Sequence, residues 1–251
     1  MFTTVAFSES LDPAGVFVNL AAVIDQSIRT AGDFITIGDL NQIVAAYAAN
    51  GTVAAEAYLT SPSLRQVNNL YIVPVEGAIT PSANPPMIYR PRSPVPLTTH
   101  ENLSALTNCN PAAAEQLAIV VWLADGPIAQ VDGEIYTLNA EVTMAQVVNS
   151  WEFSEITFVD DLPVGSYEVV GARLVAAGGI AFRFVAPTGN HRPGGICSAT
   201  VASNNIDHQR YGGMGSWFSF ETIKPPGVEL LGSAAAGSAT YQLYMDVIKV
   251  G

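Results

Sequence analysis

Charge is what this chain has least of. Only 13% of its 251 residues are charged, about half the share usual in a soluble domain. Lysine is reduced to Lys224 and Lys249, and 22 acidic against 10 basic side chains leave a formal net charge of −12. A protein that neutralises phosphates needs clustered Lys or Arg. The densest local pair here is Arg90 and Arg92, and it sits among prolines. Strong direct binding of nucleic acid through a basic arm is therefore not expected. Cysteine is scarce as well. Cys109 and Cys197 lack CxxC spacing, leave one disulfide or none open, and specify neither compartment nor metal. No apolar run reaches the ~20 residues of a membrane-spanning helix. The opening MFTTVAFSES has no basic segment leading into an apolar core, so no secretory signal is expected as written.

Patterns that carry chemistry are thin. A nucleophile needs a base within hydrogen-bond reach and a third group to orient it. Ser216 in GMGSWFSF lacks the GxSxG spacing of a nucleophile elbow, and Cys197 near His191 is only a sequence neighbour. The histidines His100, His191 and His208 read as loop hydrogen-bonding groups. Glu152, Glu155, Asp160 and Asp161 form the densest acidic group, with Asp125, Asp132 and Glu134 a second. Either suits a hard cation such as Ca²⁺, but no EF-hand pattern accompanies them, and solvated acidic turns are the simpler reading. Gly212–Gly215 precedes a strand and is no phosphate-binding loop. An enzyme is not expected, and neither a metal nor another cofactor.

What the chain does have is apolar residues, 49% of the total. A globule that stands alone needs polar surface to stay in solution, so this balance predicts surface buried against other chains. The first third reads as helical. Asp12-Pro13 offers an N-cap and a first-turn proline, and Phe17, Leu20, Ala21, Ile24 and Ile28 fall on one helical stripe up to Gly32. Leu40, Ile43, Val44 and Tyr47 predict a second helix over 39–50, closed by Asn50-Gly51. The alanines of Thr52–Leu59 favour a third helical piece, Ser61-Pro62 opens a short turn from Leu64 to Val67, and Glu101–Leu106 reads as one more turn. Six prolines between Thr80 and Thr99 forbid regular helix or central strand and predict an extended arm or linker.

From Gln116 onward the pattern is β. Runs at Gln116–Ala124, Glu134–Thr143, Trp151–Val159 and Ser166–Val175 precede runs at Ile180–Pro187, Gly194–Val201, Gly215–Ile223 and Ala239–Val250. A shift in the apolar set of Trp151–Val159 predicts a bulge near Ser154-Glu155. Ala176-Ala177-Gly178-Gly179 predicts a hairpin turn at the centre, and nesting the other runs about it gives the connectivity of a jelly roll. The expected fold is mainly β, an eight-stranded jelly-roll sandwich over 116–251, with a helical N-terminal region over 1–68 and a proline-rich extended arm over 69–115.

The nested half, with SPSLRQV, IVVWLADGPI, LPVGSYEVVGARLVAAGGIAFRFV, HRPGG and MGSWFSFE, resembles the jelly-roll capsid proteins of icosahedral viruses and phages. The likeness covers about Ser61–Val250 and rests on structural motifs, without a catalytic signature. It implies a virion subunit that tiles a shell with copies of itself, alongside other virion proteins, through apolar interfaces. The chain departs from common coat proteins in lacking a basic N-terminal arm. The residues expected at subunit contacts are Phe17, Leu20 and Ile24 of the first helix, Met87, Tyr89, Arg90 and Arg92 of the arm, and His191, Arg192 and Tyr211 of the loops. The competing reading is a carbohydrate-binding or adhesion-type β-sandwich, with Trp151, Tyr167, Tyr211, Trp217, Tyr241 and Tyr244 as possible sugar-stacking rings. A hydrolase on the same sandwich would need a carboxylate pair or a metal in a pocket.

Overall fold

The computed structural model describes residues 1–49, 55–73, 75–77, 88–111, 113–198, 211–212 and 214–251. The chain divides into two compact units, one built essentially from 3–79 and 86–126, the other from 127–251.

The first unit holds a four-stranded sheet in the order β1-β10-β5-β8, formed by β1 (Phe2–Leu11), β10 (Glu115–Ala124), β5 (Gln42–Ala49) and β8 (Val95–Pro96). A second, six-stranded sheet contains β2 (Val18–Asn19), β3 (Arg29–Ala31), β4 (Phe34–Thr36), β6 (Ala57–Thr60), β7 (Leu70–Ile72) and β9 (Asn102–Thr107). Its order is β3-β4-β9-β6-β7, with β2 also on β9. Phe7, Leu20, Ile35, Ile43, Leu59 and Ile119 belong to the core of this unit, each fully buried.

The helical N-terminal region expected from the sequence is not there. Among the described residues the one helix is α1 (Leu64–Val67), at the turn that Ser61-Pro62 predicts. Ser61 Oγ accepts a hydrogen bond from the Leu64 amide at 3.2 Å. At the first expected helix, Asp12 does act on the amide two residues on, with Ala14 N donating to Asp12 Oδ1 at 2.8 Å. Ala14 and Gly15 then turn to positive φ, 53° and 78°, which breaks a right-handed helix at its first turn. The amides of Leu20 and Val23 donate instead to the remote carbonyls of Ala105 and Ala6. The stripe is split accordingly, with Leu20 at 0% exposure and Ile24 at 79%. The second expected helix is β5, whose residues Ala45–Ala49 are all buried. Its alanines favour a helix only where packing does not decide. Here β10, apolar from Leu117 on, pairs with β5 from Ala118↔Ala49 to Ala124↔Gln42 with one register shift after Trp122, and tertiary pairing overrides propensity. Ala57–Thr60 and Asn102–Thr107 are likewise strands, while Asn50-Gly51 lies outside the described residues.

The second unit is a nine-stranded sheet in the order β15-β14-β18-β12-β11-β19-β13-β16, with β17 also on β13. The strands are β11 (Ile135–Gln146), β12 (Trp151–Phe158), β13 (Ser166–Val175), β14 (Gly179–Val185) and β15 (His191–Ile196). They continue with β16 (Tyr211–Gly212), β17 (Phe218–Glu221), β18 (Gly227–Gly232) and β19 (Ala236–Lys249). Strand character stands in the described part of each expected run, with 199–201 of the run Gly194–Val201 outside the described residues, but the pairing is not that of a jelly roll. The run at Gln116–Ala124, expected as its first strand, is β10 and pairs with β5 in the first unit. The central pair is no hairpin. Gly178 takes φ +80° and Gly179 N closes the turn onto Ala176 O at 3.0 Å, yet β13 pairs with β19, β17 and β16, and β14 with β18 and β15. The turn changes sheet neighbours instead of returning on itself. Strand β18 is hidden in the sequence because it opens on Gly227 of the Pro225-Pro226-Gly227 break, and it takes partners that the nesting assigns to other strands. At the predicted bulge, β12 changes partner: Trp151–Glu155 pair with β18, and Ile156–Phe158 with β11.

Candidate functional site

Three places in the described residues gather unusual side chains. The first is the outer face of the six-stranded sheet in the first unit. Alternation along its strands turns Ala57, Leu59, Ile72, Leu103 and Ala105 inward, where they are buried, and leaves Tyr58, Tyr71 and Leu106 facing out. Register then lines these up across the strands, Tyr71↔Tyr58 and Tyr58↔Leu106. Phe17, just before β2, closes the row with its ring centroid 4.8 Å from that of Tyr58, which lies 5.3 Å from Tyr71. Phe17 is 37% exposed, Tyr71 41% and Val73, two residues further on, 65%. Partial burial raises the Tyr58 phenol above its ordinary 10.0; neighbouring Tyr71 adds to this and the Arg65 charge opposes it. This row has the chemistry of contact: apolar area with hydroxyl tips, and no acid–base pair.

The second place is polar and buried, in the second unit. Arg183 on β14 stands opposite Glu229 on β18, its Nε donating to Glu229 Oε2 at 2.6 Å. His191 Nε2 lies 3.5 Å from Glu229 Oε1. The Arg183 guanidinium also sits 4.4 Å from the centre of the Trp151 ring. All three ionisable residues are buried, and Arg183 is 1% exposed. Burial alone would raise the Glu229 carboxyl, but hydrogen bonds and charge from His191 and Arg183 outweigh it and hold the group below its ordinary 4.5. On neighbouring β15 the backbone runs close against β14 opposite Arg183. A Cβ at Gly194 would lie 2.0 Å from the Phe182 carbonyl oxygen. A buried, satisfied ion pair of this kind fixes strand register more readily than it does chemistry.

The third is an open cleft of ≈ 430 Å³ in the first unit, lined by Arg29, Thr36, Asp39 and His100 among others. His100 has φ +63° and its Nε2 lies 3.6 Å from Asp39 Oδ1. Both side chains are largely exposed, 72% and 89%, which leaves the pair in water.

The residues singled out from sequence do not form one site. Leu20 is core, Phe17 joins the aromatic row and Ile24 projects alone. Tyr89 makes an isolated bridge with Ala46, through two backbone hydrogen bonds of 2.8 and 3.0 Å, and packs on the first core. Arg90 and Arg92 are exposed, and Met87 lies outside the described residues. His191 is buried against Glu229, Arg192 is half-buried on β15, and the Tyr211 backbone pairs with Ala172. The rings considered for sugar stacking are partly core: Tyr167, Trp217 and Tyr241 are buried. Tyr58, Tyr71, Arg183 and Glu229 were missed. The Tyr58–Tyr71 pairing needed the strand assignment of Ala57–Thr60, which the alanine-rich context concealed, and the ion pair needed β18. Among the described residues no three acidic, His or Cys side chains converge as metal ligands, and Asp160 instead accepts the Asn139 amide at 2.7 Å. Both cysteines are free and buried, and burial raises both thiols, Cys197 well above its ordinary 9.0. No helix is long and apolar enough to cross a membrane, among the described residues. No protein-family model matches the sequence, and no curated protein or solved structure shows a significant match to it.

Proposed function

We propose that this chain is a structural subunit of a virion, associating with copies of itself through apolar surface. The observation that carries the reading is large apolar side chains left in water on each unit of a chain with so few charges. Val16, Tyr71 and Val73 are exposed on the first unit, and Phe153, Val164 and Ile223 on the second, at 54–82% for the latter three. Scattered apolar side chains are normal on any surface. The contiguous row Phe17–Tyr58–Tyr71 goes beyond scatter, and with 13% charged residues little polar surface offsets it. Association through an obligate interface of roughly 2,000 Å² or more would cover such surface. The resemblance to phage and virus shell proteins adds the kind of assembly, a closed shell in a virion, and rests on sequence motifs alone.

Size-exclusion chromatography with light scattering and negative-stain microscopy of the purified protein test the reading. Rings, shells or stable oligomers are expected. A monomer that persists at the highest soluble concentration overturns it. The aromatic row also favours a second reading, a glycan-binding or adhesion-type module, for which a monomer that binds oligosaccharides through Tyr58 and Tyr71 is the expected result.

A further inference from the structure

One corner of the second unit gathers exposed apolar side chains and both lysines of the chain. The loop 159–165 joins β12 to β13, and the turn 222–226 joins β17 to β18. Strand register brings the two together. Ser166 stands opposite Glu221, the Thr222 amide donates to the Gly165 carbonyl at 3.1 Å, and the Gly165 amide donates to Thr222 Oγ1 at 3.1 Å. Val164 and Ile223, each next in the chain to a member of that bonded pair, are 82% and 72% exposed. The loop is held from beneath as well, where the hydroxyl of buried Tyr167 donates to the Pro163 carbonyl at 2.9 Å. A tip clamped in this way is already in place for a partner and loses little freedom on docking. Single exposed aliphatic residues are ordinary. Two on a fixed corner beside the only lysines of the sequence are a built surface.

Charge says which occupant fits. Lys224 follows Ile223 and bridges Glu221, and the Lys249 side chain passes Gly165, where an added Cβ would lie 2.9 Å from its Cε. Asp161 stands on the loop, and it, Glu221 and both lysines are exposed. No other exposed Lys or Arg stands on the described residues of this unit, since Arg173 and Arg183 are buried and Arg192 is half-buried. An anionic lipid surface would meet the carboxylates together with the lysines, which offsets the attraction. A second copy about a two-fold axis suits both signs, because the same patch faces itself and the lysines of one copy meet the carboxylates of the other. Elsewhere on this unit, exposed carboxylates would meet carboxylates.

Resting on the self-association reading above, we propose that two copies of this chain meet about a two-fold axis at this corner. Val164 and Ile223 of each copy bury apolar surface on the other, while Lys224 and Lys249 face Asp161 and Glu221 across the contact. The aliphatic tips supply the affinity, and the charges fix which surfaces meet.

Three variants of the full chain test this. Val164→Ser/Ile223→Ser removes the apolar surface and leaves every charge, and by sedimentation equilibrium it should weaken dimerisation about 30-fold or more. Lys224→Glu/Lys249→Glu leaves the corner with carboxylates alone, and Asp161→Lys/Glu221→Lys leaves it with lysines alone. Each should fail to pair with itself, while an equimolar mixture of the two should pair at least as tightly as wild type at low salt. All six side chains are exposed, so far-UV circular dichroism should match wild type throughout. If the wild type associates while the serine variant associates equally well, or the mixture does no better than its components, the contact lies elsewhere and only this inference falls. Wild-type binding to vesicles of phosphatidylcholine and phosphatidylglycerol that the serine variant loses, with self-association unchanged, would give the corner to a membrane and also overturn it. A wild type that stays monomeric throughout brings down the self-association reading, and this inference with it.

Discussion

Glu229 shows how a sparse set of charges is used in this protein. Its carboxylate is held below the ordinary 4.5 by His191 and Arg183 despite burial. A folded-state value below the unfolded one means that the group's stabilisation is complete above the unfolded value and is lost as pH falls through the folded one. Stability measured by urea unfolding should therefore begin to drop below about pH 4.5, and Glu229→Gln should flatten that slope. At neutral pH the same variant leaves Arg183, 1% exposed, without its carboxylate. The expected loss is about 3–5 kcal/mol, and the double variant Arg183→Met/Glu229→Leu should lose less, because the guanidinium is removed with its carboxylate and His191 alone is left to lose its partner. Gly194 is decided by space. A Cβ there would meet the Phe182 oxygen at 2.0 Å, an atom of the backbone that cannot swing away. Gly194→Ala should cost about 1–3 kcal/mol or more by the same measurement, and a loss under 0.5 kcal/mol would show that β14 and β15 separate easily.

At the scale of elements, Glu101 ties the helical turn to the sheet. Its Oε1 accepts from Ser61 Oγ at 2.9 Å and from the Thr98 amide at 3.1 Å, and its Oε2 from the Ser63 amide at 2.9 Å. One carboxylate thus fixes α1 to the start of β9, leaving Tyr58 and Leu106 on one outward face. Glu101→Ala should destabilise the protein by roughly 3 kcal/mol, since it strips charged hydrogen bonds from the buried Ser61 hydroxyl and from the Ser63 and Thr98 amides. Hydrogen exchange should quicken first at the Leu64, Arg65 and Asn68 amides. Uniform exchange across the first unit would argue against a local tie. Strand β18 carries the other lesson at this scale. Its six residues are all buried, yet their apolar core is short and follows directly on Pro225-Pro226, with the glycine of that break as its first residue. Periodicity has too few positions there to register, and the strand became visible only through its pairing with β12 and β14.

For the whole molecule the scarcity of charge is the governing fact. Association that buries apolar surface should be strengthened by sulfate, which is excluded from protein surfaces. Moderate sodium chloride should strengthen it modestly as well, because it screens the repulsion between copies of net charge −12. Light scattering across both salt series checks this, and dissociation by moderate sodium chloride would assign the contact to ion pairs instead. The described chain forms two units that divide after Gly126, while the β pattern begins near Gln116 in the sequence. The difference is β10 alone, which alternates so little that its apolar residues suit any buried sheet, and which the first unit takes.

The amino-acid sequence by itself determined the low charge, the β character beyond Gln116, the turn at Ala176–Gly179, the shift in the apolar set of β12 and the short turn at Leu64. Each of these is a local matter of composition, alternation or turn chemistry. Only the tertiary structure decided that the first third is strand, that β13 and β14 do not pair with each other, and that Arg183 meets Glu229. Helical spacing at Phe17–Ile28 and alanine in β5 state what a segment does in isolation. Remote carbonyls, a facing strand and burial on both faces contribute more free energy than those preferences and lie far away along the chain.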